Sequence, residues 1–151
     1  MQLGQLSLKG RALRLLSARE HSRAELERKL AGHEEEPGQL KRVLDELQAR
    51  DFINEQRVVE SVLHRRAGKL GALRIRQELQ GKGLEGELVQ AAVTQLQVSE
   101  FERAREVWQR KFEGPPSGPA DRGRQMRFLA SRGFGGEVIR RVLSGEGGEP
   151  A

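Results

Sequence analysis

The sequence predicts an all-α protein, and two observations support this fold class. Residues that favour strands are scarce, because Val, Ile, Thr and Tyr together account for 14 of 151 residues, whereas Leu alone accounts for 20. Apolar residues also recur every three or four positions, as in Leu40, Val43, Leu44 and Leu47, which places them on one face of a helix. Charged residues make up 32% of the chain and apolar residues 36%, a balance that suits thin helical layers better than one large core.

Capping and turn residues delimit the first three predicted helices. Arg11–Arg19 carries an apolar cluster over two turns and predicts the first helix. Ser22–Glu25 has the capping-box pattern, so the second helix is expected to begin after this Ser and to run to Gly32. Pro37 is expected in the first turn of the third helix, because its fixed φ and missing N–H suit that position.

Three more helices are predicted in the middle of the chain. Asn54 is suited to cap the fourth helix, which ends before a turn over Gly68–Gly71. The fifth helix covers Leu73–Lys82 and ends at Gly83, where a glycine is favoured. The sixth helix covers Glu85–Leu96.

The last third of the chain predicts three helices and a tail. Ser99–Glu102 is a second capping-box pattern and predicts the start of the seventh helix. Gly114–Pro119 contains three prolines and two glycines and predicts a loop. Two short helices are expected over about Ala120–Arg132 and Gly136–Leu143, and Gly145–Ala151 is expected to form a flexible tail.

The apolar pattern repeats with a period of about 49 residues. A shift of 49 superimposes nine apolar positions, beginning with Leu26 on Ile75. A shift of 50 places Lys82–Leu84 on Arg132–Phe134. One three-helix unit of about 45 residues buries too little apolar surface to fold stably alone, so three units are expected to stack in a row.

The repeat predicts the domain organisation. The expected three-helix units are residues 10–53, 54–98 and 99–144, and residues 145–151 are the tail. Stacked end to end, the units should form an elongated, curved arrangement with a concave side.

Composition excludes several kinds of function. The chain has no Cys, and therefore no disulfide, thiolate metal site or cysteine nucleophile. No apolar run approaches the roughly 18–20 residues that span a bilayer, and the N-terminus lacks the pattern of a signal peptide. We therefore expect a cytoplasmic protein that does not engage membranes, with a monomer as the simplest assembly.

No residue pattern indicates catalysis or a cofactor. Gly81–Gly86 matches G-x-G-x-x-G, but a dinucleotide site needs a strand before this motif, and here the glycines are expected to join two helices. The sequence contains no P-loop motif. His21, His33 and His64 are widely spaced. His33 beside three glutamates could bind a metal adventitiously, but a solvated acidic loop is favoured. The prediction is a non-enzymatic protein without cofactor or metal.

The aromatic side chains have two alternative roles. Phe residues could stack on nucleic-acid bases or pack between helices. Phe52 and Phe101 are equivalent in the repeat and lie at helix junctions, which favours packing. Trp108 lies on an apolar face with Val107 and Phe112 and is expected in the core.

Positive charge is concentrated in the predicted second unit. The formal net charge of the chain is +5, and residues 57–82 contain seven basic and two acidic side chains. Phosphate binding draws on such an excess, because each neutralised phosphate releases condensed counterions. The alternative is that these side chains only solvate helix faces. As a block, their clustering favours a binding function.

Three segments, taken in order, carry a family resemblance. They are Ala12–Leu26, then Lys69–Leu79 with Lys82–Leu84, then Phe128–Phe134 with Val138–Leu143. Their order and spacing over residues 10–144 resemble the RecX family, bacterial regulators of the RecA recombinase. The resemblance implies a small, cytoplasmic, tandem three-helix protein that binds the RecA–DNA filament along its groove and restrains strand exchange and ATP hydrolysis. It also implies that some members bind DNA alone.

We therefore expect a regulator that binds the RecA nucleoprotein filament and inhibits the recombinase in DNA repair, recombination and the SOS response. The alternative is a module of helix-turn-helix-like units that binds single- or double-stranded DNA independently of RecA. The candidate residues for contacts with RecA or DNA are all basic: Arg57, Arg65, Arg66, Lys69, Arg74, Arg76, Lys82, Arg132, Arg140 and Arg141.

Overall fold

A computed structural model describes residues 5–147 of the chain. These residues form nine α-helices and one short 3-10 helix over Ala31–His33, with no strand among them, so the predicted all-α class is confirmed. The helices are α1 Leu8–Ala18, α2 Arg23–Leu30, α3 Gln39–Ala49, α4 Glu55–Arg66, α5 Ala72–Gly81, α6 Glu87–Val98, α7 Glu100–Lys111, α8 Pro119–Ser131 and α9 Gly136–Leu143. Within the described part of the chain, none of these helices has the length and hydropathy that crossing a membrane would require.

The helices are grouped into three successive units, and each unit has its own apolar core. The first unit is α1–α3, the second α4–α6 and the third α7–α9. Leu30, Leu79 and Leu129 occupy equivalent positions in the repeat, and each is buried in the core of its own unit. The prediction of three tandem three-helix units is therefore confirmed.

Local sequence signals explain several helix ends. The Ser22 hydroxyl accepts a hydrogen bond from the Glu25 amide at 3.1 Å, and the Glu25 carboxylate accepts one from the Ser22 amide at 3.0 Å, which completes the predicted capping box. Asn54 caps α4 by accepting a hydrogen bond from the Arg57 amide at 3.0 Å. Gly83, with a φ of +81°, ends α5 as expected. Glycine is the only residue that adopts this left-handed conformation without a steric cost.

One predicted helix start is wrong, and another is correct but lacks its predicted capping box: α7 begins at Glu100, directly after Ser99. Pro37 lies before α3 and outside its first turn, because Gly38, with a φ of +84°, is the residue that turns the chain into the helix. Ser99 accepts no capping hydrogen bond from α7. It is the single residue between α6 and α7, and its φ of −104° and ψ of 5° lie outside the extended region that an N-cap side chain needs.

Two aromatic predictions have different outcomes. Trp108 is buried in the third unit, as expected, and its indole N–H donates to the Gln125 side-chain oxygen at 2.7 Å. The packing role predicted for Phe52 is wrong, because this side chain is 47% exposed. Its repeat equivalent Phe101 is half-buried, and the Arg141 guanidinium lies 4.3 Å from the centre of its ring. Arg141, which covers the Phe101 ring, belongs to the third unit. Among residues 5–147, no cation of the second unit lies over the Phe52 ring in the same way.

The predicted tail lies partly outside the described residues. Residues 148–151 are not described, whereas Glu146 pairs with Arg141 of α9.

The units are joined by a contact that recurs with the repeat. At the first joint, the start of α2 lies against the α5–α6 turn, where the Ser22 hydroxyl donates to the Lys82 carbonyl. At the second joint, the start of α5 lies against the α8–α9 turn, where the Gly71 amide donates to the Arg132 carbonyl at 2.8 Å. The Leu73 amide adds a second backbone hydrogen bond to Gly133 at 3.1 Å. Between residues 5 and 147 no hydrogen bond or ion pair links the first unit directly to the third, so the units follow one another in a row.

Glu25 is a buried carboxylate at the first joint. Burial opposes its ionisation, but hydrogen bonds from Arg19 and the Ser22 amide, together with the charge of Lys82, outweigh the burial and lower its pKa from 4.5 to about 2. Because the folded-state pKa lies below the unfolded one, this group contributes stability that is present above about pH 4.5 and is lost as the pH falls toward 2.

The acid sensitivity of the fold should therefore depend on Glu25. Between pH 5 and pH 3 we expect this carboxylate to account for a loss of roughly 2 kcal/mol in the free energy of unfolding. Urea unfolding followed by circular dichroism at both pH values should show a shallower pH dependence in Glu25→Gln than in the wild type. Glu27→Gln, an exposed position on the same helix, is the control. An equally steep dependence in Glu25→Gln would contradict the assignment.

Candidate functional site

A cleft of about 470 Å³ lies between the second and third units. The C-terminal ends of α4, α7 and α8 border it, together with the connection from α4 to α5 and the first two turns of α5. Its lining combines a few apolar side chains with a ring of charged ones: Arg66, Lys69, Leu70, Arg74, Glu78, Val107, Arg110, Lys111, Phe128 and Arg132. Six of these side chains are cationic and one is anionic, so the cleft is suited to a polyanion.

Three of the cleft arginines already have partners in the protein. Arg66 pairs with Glu78 at 3.1 Å. Arg74 donates to the Ser131 carbonyl at 2.6 Å, and Arg110 donates to the Gly68 carbonyl at 2.9 Å. Carbonyls at and after helix C-termini lack intrahelical donors, so these arginines have a structural role as well as a charge.

The other three cations are available to a ligand. Lys69, Lys111 and Arg132 are exposed and make no ion pair or side-chain hydrogen bond with any described residue of the chain. Two of them lie close to an aromatic ring: the Arg132 guanidinium is 4.9 Å and the Lys111 ammonium 5.7 Å from the centre of the Phe128 ring. We call Lys69, Lys111 and Arg132 the unpaired cations.

Two charged residues of α7, the buried Glu100 and the half-buried Arg103, hold the chain segment that forms one wall of the cleft. Arg103 donates to the carbonyls of Ala67 and Leu70, at 2.8 and 2.7 Å. The Glu100 carboxylate accepts a hydrogen bond from the Ala72 amide at 2.7 Å and so caps α5 from the neighbouring unit. Burial lowers the pKa of Arg103, and the nearby Glu100 charge opposes that effect. The segment between α4 and α5, which carries Lys69, is therefore fixed by the third unit.

The structure brings together only part of the predicted set. Arg66, Lys69, Arg74 and Arg132 line the cleft. Arg65 lies beside it and approaches Glu78 at 3.9 Å.

The other predicted residues lie elsewhere. Arg57 pairs with Glu20 and Asp51 at the first joint, and Lys82 is mostly buried there, 3.5 Å from Glu25.

Arg76 is exposed on α5 away from the cleft lining. The two arginines of α9, Arg140 and Arg141, pair with Glu137 and Glu146.

Sequence reasoning missed Arg110 and Lys111. Both belong to the last turn of α7, outside the stretch of densest positive charge, and their sequence separation from Lys69 is about forty residues. The only local signal is that they form a basic last turn before a Gly- and Pro-rich loop, which is also what the helix dipole favours.

Other candidate motifs have structural roles. Gly81–Gly86 joins α5 to α6, so the interpretation as a turn between two helices is confirmed. His21 is buried near Lys29 and far in sequence from the other histidines. Within residues 5–147, no three His, Asp or Glu side chains gather in a way that could hold a metal ion.

The architecture defines a protein of tandem three-helix units with a basic cleft at one joint. Models of the three-helix domains of RecX match the chain in the same order. The first domain matches residues 9–47, the second 54–93 and the third 99–143. The chain belongs to the RecX family.

Relatives in two bacteria support this assignment. Regulatory protein RecX of Leptothrix cholodnii is 55% identical over 139 residues, which cover 92% of this chain and 88% of the relative. Regulatory protein RecX of Ralstonia nicotianae is 46% identical over 140 residues, which cover 93% of this chain and 88% of the relative. These similarities support a regulatory role.

Two crystal structures share the fold. A crystal structure of regulatory protein RecX matches with a TM-score of 0.76 at 19% identity, covering 91% of this chain and 71% of the other. The crystal structure of RecX from Lactobacillus salivarius matches with a TM-score of 0.71 at 22% identity, covering 91% of this chain and 92% of the other. At these identities the likeness concerns the fold alone.

Proposed function

We propose that this chain binds the RecA–DNA filament in the cytoplasm and inhibits strand exchange and ATP hydrolysis during DNA repair, recombination and the SOS response. Membership of the RecX family supports the proposal, and the observation that carries it is the cleft with its three unpaired cations. A nucleoprotein filament offers repeated phosphates along a groove, and Lys and Arg side chains without partners of their own bind such phosphates with a gain from counterion release.

The row of units suits a partner that is itself a polymer. Each unit has its own core, and the joints recur at the same place in the repeat, so the chain extends in one direction, as a polymer does. Inhibition would follow from occupying the groove that strand exchange needs. This mechanism needs no catalytic residue and no cofactor.

The direct test is a titration into preformed RecA filaments on single-stranded DNA, with ATP hydrolysis and filament length followed together. We expect ATP hydrolysis to fall as the protein approaches a stoichiometric ratio to RecA. Unchanged hydrolysis and unchanged filament length at that ratio would contradict the proposal.

The unpaired cations should account for much of the effect. In the variant Lys69→Gln/Lys111→Gln/Arg132→Gln, we expect the concentration for half-inhibition to rise by about tenfold or more, because three phosphate contacts are lost. The control is Lys41→Gln/Arg42→Gln/Arg50→Gln, which removes the same charge from exposed positions in and just after α3. Equal inhibition by the two variants would place the contact surface outside the cleft.

Direct binding to DNA without RecA is the second candidate. The juxtaposition of unpaired cations with an aromatic ring at Phe128 favours it. Binding to naked DNA should then weaken steeply between 50 and 200 mM salt. Absence of binding at low salt would remove this candidate.

A further inference from the structure

We infer that the cleft takes single-stranded nucleic acid and that Phe128 and Arg132 form the surface on which one base stacks. The inference rests on the proposed function, because it requires the cleft to contact DNA. It adds the kind of strand that the cleft selects and the side chains that select it.

Phe128 is placed where a base could reach it. The ring is half-buried in the cleft lining, and Lys111 and Arg132, two of the unpaired cations, lie within 5.7 Å of its centre. The Arg132 guanidinium is planar and lies over the ring, 4.9 Å from its centre. Unstacked bases bind to aromatic rings and to arginine planes of this kind, whereas the adjacent phosphates require cations.

The ring is held in a defined orientation. Phe112 contacts Phe128 edge to face, with 5.4 Å between ring centres and 88° between ring planes. Phe112 is itself buried in the core of the third unit. A stacking surface that is already oriented loses little conformational entropy when a base binds.

The dimensions of the cleft favour a single strand. A volume of about 470 Å³ is within the range of sites for small ligands, so it can admit a nucleotide. In a duplex the bases are paired and stacked inside, and exposing one costs a few kcal/mol. A single strand can present a base to Phe128 and its phosphates to Lys69 and Lys111 without that cost.

Phe52 shows that an exposed ring alone does not make such a site. It is the more exposed of the two rings, but its surroundings include Glu20 and Asp51. The cation beside it, Arg57, is paired with both of these carboxylates. Phe52 therefore provides a matched control for Phe128.

The test measures the binding of fluorescent oligo-dT and of a duplex of the same length, without RecA. We expect Phe128→Leu to weaken single-strand binding by about fivefold or more. The slope of log affinity against log salt should stay unchanged, because no cation is removed. Duplex binding should change less than twofold, and Phe52→Leu should leave both affinities unchanged. Arg132→Lys keeps the charge at an exposed position and should also weaken single-strand binding, which covers the case in which Phe128→Leu disturbs folding.

Three outcomes would overturn the inference. Wild-type affinity for single strands in both Phe128→Leu and Arg132→Lys would show that no base stacks there. An equal loss of duplex binding would show that the cleft does not select single strands. Absence of DNA binding by the wild-type protein would also overturn it, yet inhibition in the filament titration would leave the proposed function standing.

Discussion

Gly71→Ala should destabilise the joint between the second and third units and lower the free energy of unfolding by roughly 2–5 kcal/mol. A Cβ at Gly71 would come closer than 3.0 Å to backbone atoms of Gly133 and Phe134. Backbone atoms in a packed turn cannot move aside as the end of a flexible side chain can. The substitution would therefore strain or break the hydrogen bonds from Gly71 and Leu73 to the α8–α9 turn.

Gly68→Ala is the matched control for this substitution. Gly68 belongs to the same connection between α4 and α5, but a Cβ there would meet no heavy atom within 4 Å. We expect a change within about 0.5 kcal/mol. Thermal and urea unfolding measure both variants, and hydrogen exchange of the Gly71 and Leu73 amides reports on the joint itself. Equal stability of the two variants would show that the joint is not closely packed.

Gly71→Ala should also impair the inhibition of RecA under the proposed function. Lys69 and Arg74 lie on the second-unit side of the cleft, whereas Lys111 and Arg132 lie on the third-unit side. Loss of the joint would separate the two sides even if each unit kept its helices. Gly68→Ala should inhibit like the wild type.

Leu79→Ala should cost roughly 2–5 kcal/mol, because it removes a fully buried side chain and leaves a cavity. Leu79 lies in the core of the second unit, which is the unit that contacts both neighbours. Its loss should therefore weaken both joints as well as the unit itself. Urea unfolding at neutral pH measures the effect.

Leu73→Ala is the control for Leu79→Ala on the same helix. The Leu73 side chain is 56% exposed, so we expect a change of less than about 1 kcal/mol. Its backbone hydrogen bond to Gly133 does not depend on the side chain. A loss as large as that of Leu79→Ala would mean that burial does not govern stability in this unit.

Much of the fold could be predicted because its signals are local. The spacing of leucines predicts helices, and residues such as Ser22, Asn54 and Gly83 mark their ends through contacts within one or two turns. The repeat then predicts that Leu30, Leu79 and Leu129 occupy equivalent core positions, and all three are buried. Pro37 lies outside α3, and Ser99 precedes α7 without forming its capping box, because neighbouring residues determine the backbone at both positions.

The candidate site could be predicted only in part. Arg66, Lys69 and Arg74 are close in sequence, so a local excess of charge reveals them. Arg110 and Lys111 come from another unit and have no such signal. The sequence also could not separate Phe128, which lines the cleft, from Phe52, which lies beside two carboxylates.

The all-α class, the helix ends at Ser22, Asn54 and Gly83, and the threefold repetition thus follow from the sequence alone, because they depend on periodicity and on hydrogen bonds between near neighbours. The cleft does not, because it forms where the α4–α5 segment meets the ends of α7 and α8. That meeting depends on Gly71 and Gly133 allowing two backbones to touch, and on Glu100 and Arg103 holding the connection from the neighbouring unit. Contacts between residues some thirty to sixty positions apart decide which cations stay unpaired, and only the packed structure brings those residues together.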